Sequence, residues 1–148
     1  MQVLAEFEAG QQAHSLLSFD SPLERHGLIE IHGTEGSLLV PDPNQFTGRT
    51  AHLKPLVAFS DGVREEQQWL EIEEEGVVVG RGLGVLDMAR ALAEDRPHLA
   101  TGELARHVLD VILSADESAS TGAFVTVEST VGPVPAMPVD FDPFAQTR

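Results

Sequence analysis

Leu28-Ile29-Glu30-Ile31-His32-Gly33-Thr34-Glu35-Gly36-Ser37-Leu38-Leu39-Val40 is the stretch that decides the fold. Ile29 and Ile31 fall on one side of a run whose intervening positions are Glu30 and His32, the period of two that suits a half-buried strand. Gly33-Thr34-Glu35-Gly36 reads as a hairpin loop, and Ser37 to Val40 as the return strand. The flanking segments extend this antiparallel pattern.

Upstream, Val3, Ala5 and Phe7 alternate with Gln2, Glu6 and Glu8, and Ala9-Gly10 is a turn signal. A second run from Ala13 to Asp20 carries Leu17 and Phe19 on one face and Leu16 on the other. A strand that is apolar on both faces is usually covered on both. Downstream, Pro41-Asp42-Pro43-Asn44 cannot sit in a central strand and must be loop. Arg49 to Leu56 and Gln68 to Ile72 are read as strands, with a turn at Ser60-Asp61-Gly62 between them.

Two helices follow. The first runs from about Leu83 to Asp95, with Val85, Ala89 and Leu92 as its apolar stripe and Leu86 and Ala93 beside it. Arg96 suits the C-terminal dipole and Pro97 stops the helix. The second begins after Thr101 as N-cap, with Glu103 in its first turn and Gly122 as the residue that ends it. Its stripe is Leu104, Val108, Ile112 and Ala115, flanked by Ala105 and Leu109. Phe124 to Glu128 reads as a final strand. Pro133, Pro135, Pro138 and Pro143 then make residues 130–148 an extended tail, which leaves residues 1–129 as the folded domain.

Strands in a block, followed by helices, define an α+β domain. The expected build is a mostly antiparallel open sheet with two helices packed on one face, the other face left to solvent or a partner. The chain of 148 residues has a net charge of −15, a single lysine (Lys54) and no cysteine. That balance argues against nucleic acid and anionic membranes, which need clustered Lys and Arg. It also removes disulfides and thiolate chemistry. Met1 to Glu6 lacks a basic segment and a long apolar run, so it does not read as a signal peptide, and the expected location is the cytoplasm.

Arg25-His26-Gly27 running into the hairpin as far as Leu38 resembles a recurrent stretch of the Gfo/Idh/MocA oxidoreductases. Asp87-Met88-Ala89-Arg90-Ala91-Leu92 with Arg96-Pro97-His98 is similar to that family too. So are Gly102-Glu103-Leu104-Ala105, His107-Val108-Leu109, and the opening from Phe7-Glu8-Ala9-Gly10 to Ser18-Phe19-Asp20. The likeness spans about residues 3–131. It implies the C-terminal α+β domain of such an enzyme, without the N-terminal Rossmann domain that binds NAD or NADP. Oligomerisation and substrate recognition would be its roles. NAD or NADP would be bound only if a separate Rossmann chain completes it.

The resemblance brings no catalytic residue with it. The family's Glu-Lys-Pro motif has only a partial echo in Lys54-Pro55, which follows His52-Leu53. Gly80-Arg81-Gly82-Leu83-Gly84-Val85 fails the dinucleotide fingerprint, because Val85 stands where glycine is required. Asp20, Arg25 and His26 are the substrate-pocket candidates: Arg suits bidentate contact with carboxylates or phosphates, and His suits proton transfer. His14, Leu16 and Ser18, alternate residues of the second strand, are the candidates for an oligomer face. His98, Glu103 and His107 have a spacing metal ligands can take, but without an H-E-x-x-H motif they are read as surface and helix-end residues. Glu71, Glu73, Glu74 and Glu75 read as a solvated strand end. A self-associating binding or scaffold module with no redox role is the alternative reading.

Overall fold

The computed structural model describes residues 1–20, 29–46, 48–54, 69–73 and 80–145. They fall into two compact units, one built from 1–20 and 82–137, the other from the described part of 29–81 and 138–145.

The first unit opens with an antiparallel hairpin, β1 (Gln2–Glu6) and β2 (Gln12–Leu16). Its register pairs Leu4 with His14 and Gln2 with Leu16, so these four share one face, while Val3, Ala5, Ala13 and Ser15 share the other. Leu17 N–H donates to the Met1 carbonyl at 2.9 Å and extends the ladder by one pair. Gly10, at φ 86°, takes the left-handed turn position and donates to the Phe7 carbonyl at 2.8 Å.

The same unit holds α1 (Leu83–Glu94) and α2 (Gly102–Thr121). Both helices fall where the periodicity places them. α2 starts at the expected cap, with Thr101 Oγ1 accepting from Leu104 N–H at 3.2 Å. It ends at the expected glycine, Gly122 at φ 71°. α1 ends with Asp95 at φ 53° as its C-cap; Arg96 follows, its N–H donating to the Ala91 carbonyl at 3.0 Å and its guanidinium to Glu94, Asp87 and the Pro97 carbonyl.

The second unit is a four-stranded antiparallel sheet in the order β3 (Ile29–Gly33), β4 (Gly36–Val40), β5 (Ala51–Leu53), β6 (Leu70–Glu71). The β3–β4 hairpin turns on Thr34-Glu35 alone, because Gly33 and Gly36 already pair. Gly48, at φ 99°, closes against Pro41: a Cβ there would lie 2.7 Å from the proline Cβ. Arg81 spans from the far side of the sequence to this loop, donating to Asn44 Oδ1 at 3.2 Å with its guanidinium 5.7 Å from the Phe46 ring centre. Trp69, the only tryptophan, immediately precedes β6 and is part exposed.

The fold is therefore α+β with antiparallel sheets, as expected. Among the described residues the extensive contacts between elements join strand to strand. The helix stripes expected to face a core are only partly covered: Leu86, Leu104 and Ala115 are half-buried, and other stripe positions are exposed. Val85 and Leu92 are 72% and 76% exposed, and Ile112 is 58% exposed. The buried face of α1 is Asp87, Arg90 and Ala91 instead. Residues 124–128 also depart from expectation. Among the described residues they have no strand partner. They lie between two anchors on α2, whose side chains cannot offer the backbone ladder that a strand needs. Of the other segments read from the sequence, 55–56, 60–62 and Gln68 lie outside the described residues.

Candidate functional site

Of the pocket candidates, Asp20 is exposed, and its N–H donates to Ser18 Oγ at 3.3 Å. Arg25 and His26 lie outside the described residues. His14 and Leu16 are exposed on one face of the β1–β2 hairpin, and Ser18 is exposed just beyond it. The opposite face carries Phe7 and Leu17 as further exposed apolar groups. This hairpin presents apolar surface on both sides, as the pattern of its second strand implies.

The most completely bonded polar centre lies in the connection between the helices. Asp87 is buried, its side chain 4% exposed. One carboxylate oxygen accepts from Arg96 Nη1 at 2.8 Å, and the other from Leu99 N–H at 2.8 Å. Arg96 also donates through Nε to Glu94 at 2.7 Å. The Leu99 amide, and then Arg96, hold the Asp87 carboxyl below the usual carboxylate range. Glu94 first, and then Asp87, raise the Arg96 guanidinium. This arrangement folds residues 96–99 back over α1, which is why the polar face of that helix is the one buried. His98 sits beside it with a buried Nδ1 that has no hydrogen-bond partner among the described residues.

A second cluster joins α2 to the segment beyond it. Ser129 is 6% exposed, and its N–H donates to Asp110 Oδ2 at 2.8 Å. The Ser129 hydroxyl, and then its amide, hold the Asp110 carboxyl below the usual carboxylate range. Ser129 Oγ lies 2.9 Å from His107 Nδ1. A serine nucleophile needs an imidazole that takes the hydroxyl proton and a carboxylate that orients the imidazole. Here the Asp110 carboxylate accepts from the Ser129 amide, which holds the chain segment against α2.

The remaining sequence candidates are scattered. The Glu103 carboxyl is held below the usual range, first by its own amide and then by the Thr101 hydroxyl. Among the described residues no three His, Cys, Asp or Glu side chains form a metal-binding group, so His98, Glu103 and His107 are not brought together as one. Glu71 pairs with Arg49 at 2.9 Å, Glu73 is exposed, and Glu74 and Glu75 lie outside the described residues. Lys54 is exposed at the end of β5. In the second unit an open hollow of about 380 Å³ lies against the β3–β4 hairpin and β5, floored by Ile31, Leu38 and Leu53 and edged by Thr34, Glu35 and His52.

A nicotinamide dinucleotide needs a parallel βαβ unit whose glycine turn opens a helix. Gly82 does precede α1, at φ 93°, but every strand pairing among the described residues is antiparallel. The described residues around Gly82 do not form that unit. Comparison with known proteins finds no matching family model, no matching curated protein and no matching solved structure.

Proposed function

We propose that this chain is a recognition and self-association module, in the role that the C-terminal domain serves in Gfo/Idh/MocA-like NAD(P)-dependent sugar and polyol oxidoreductases, and that it transfers no hydride alone. The observation that carries the reading is the β1–β2 hairpin, with Leu4 and Leu16 exposed on one face and Phe7 and Leu17 on the other. Apolar surface presented together in this way marks a contact with another chain. On this reading the hairpin makes a homo-oligomer, Asp20, Arg25 and His26 flank the substrate, and the chain works in the cytoplasm. NAD or NADP enters only through a separate Rossmann-domain chain. The misfit of the Gly80–Gly84 region to a dinucleotide favours the second reading, a scaffold with no redox role.

The test is the mass and composition of the native complex isolated from its own cells. A co-purifying chain of Rossmann size supports half of a split oxidoreductase. A homo-oligomer of this chain alone supports the scaffold. A monomer overturns both. Leu16→Glu is expected to give folded monomers, since it places a charge on the proposed contact face. Turnover of a sugar or polyol with NAD or NADP by the isolated chain would contradict the proposal.

A further inference from the structure

Residues 123–129 form a segment that the proposed function does not use. After Gly122 the chain reverses and returns alongside α2. Ser118 Oγ donates to the Ala123 carbonyl at 2.6 Å at one end, and Ser129 reaches Asp110 and His107 at the other. Between these anchors Val125 and Val127 are half-buried, while Phe124, Thr126 and Glu128 are exposed. The half-buried positions of α2 include His107, Asp110, Ser114 and Ser118, a row spaced three or four residues apart. Leu104 and Ala115 are half-buried on α2 as well, so the helix offers polar and apolar groups together, and the segment's hydrogen bonds lie at its two ends.

We infer that residues 123–129 form a strap that opens and closes over the polar row of α2, with Ser129 as its catch. The far end is fixed by the Gly122 reversal and the Ser118 bond. The near end depends on a single residue, whose amide donates to Asp110 and whose Oγ lies 2.9 Å from His107 Nδ1. Residues 124–128 share no backbone ladder with a described strand, so between the anchors the burial of Val125 and Val127 is what opposes lifting once the catch is released. Opening frees the His107 ring and the Asp110 carboxylate together.

Hydrogen exchange of the full chain, with peptides covering 122–131 and α1, tests this in wild type, Ser129→Ala and Asp110→Asn. Both variants are expected to speed exchange of the strap amides by about ten-fold or more, the effect of losing bonds of this kind from a local opening equilibrium, while α1 is unchanged. Diethyl pyrocarbonate labelling of His107 should rise several-fold in the same variants, relative to the exposed His14 and His32. Unchanged strap exchange and His107 labelling would overturn the inference. So would a rise spread equally over α1, because it would make Ser129 a general stability residue and not a catch. Asp110→Asn keeps the side-chain volume and serves if Ser129→Ala does not fold.

Discussion

Asp95 is held at φ 53°, a left-handed conformation that asparagine and aspartate tolerate better than most residues and glycine better still. Its carboxylate also sits at the C-terminal end of α1, where the helix dipole disfavours negative charge. Both effects have the same sign, so Asp95→Gly is expected to stabilise the protein by about 0.5–1 kcal/mol, read by calorimetry as a higher melting temperature. Asp87 behaves oppositely. Removing it leaves the Leu99 amide and the Arg96 guanidinium without their acceptor, and Asp87→Ala should cost about 1–3 kcal/mol. Because folding lowers the Asp87 carboxyl, its contribution is complete above the ordinary carboxylate pKa and is lost as pH falls through the folded value. Asp87→Asn should therefore flatten the acid limb of the stability–pH curve and leave its neutral plateau lower. An unflattened limb would assign acid sensitivity to Asp110 and Glu103, which are lowered in the same direction.

At the scale of elements, the features written in neighbouring residues were legible. Thr101 and Gly122 mark the ends of α2 because capping is a contact between residues close in sequence. Thr101→Ala should cost about 1 kcal/mol and Gly122→Ala a similar amount; the alanine Cβ at 122 meets nothing within 4 Å, so that cost is backbone conformation alone. The β3–β4 hairpin was legible for the same reason, through alternation around a glycine-bounded turn. Which helix face is buried was not. Periodicity locates the apolar stripe of α1 at Val85, Ala89 and Leu92, but burial is decided by what folds back on the helix. Here that is residues 96–99, held by hydrogen bonds to Asp87. The final strand failed similarly. Alternation at Val125, Val127 and Ser129 is real, but alternation cannot say whether the neighbour is a strand or a helix.

For the whole molecule, charge is the dominant electrostatic fact. Twenty-four acidic residues against nine basic ones leave a net −15, and the ion pairs among the described residues, such as Arg49–Glu71, offset little of it. Self-repulsion of this kind is screened within a Debye length of about 8 Å at physiological ionic strength. The melting temperature is expected to rise as sodium chloride is added from low concentration, and a fall would show that the specific ion pairs outweigh the net charge. The candidate sites were the least legible level. The Ser129 cluster joins residues 22 and 19 positions apart, and local spacing carries no trace of such a pairing. Only the His107–Asp110 interval on one helix face was available as a signal. The exposed apolar groups of the hairpin were better signalled, because Leu16 and Leu17 on opposite faces of one strand already demand two coverings.

Trp69 adjoins β6 in the second unit, the chain contains no tyrosine, and both long helices belong to the first unit. Intrinsic fluorescence thus reports on one unit and far-ultraviolet ellipticity mainly on the other, without any introduced dye. Denaturant titrations followed by the two signals should superimpose if the units unfold in one cooperative step. Separate midpoints would give each unit its own free energy of unfolding from a single unlabelled sample.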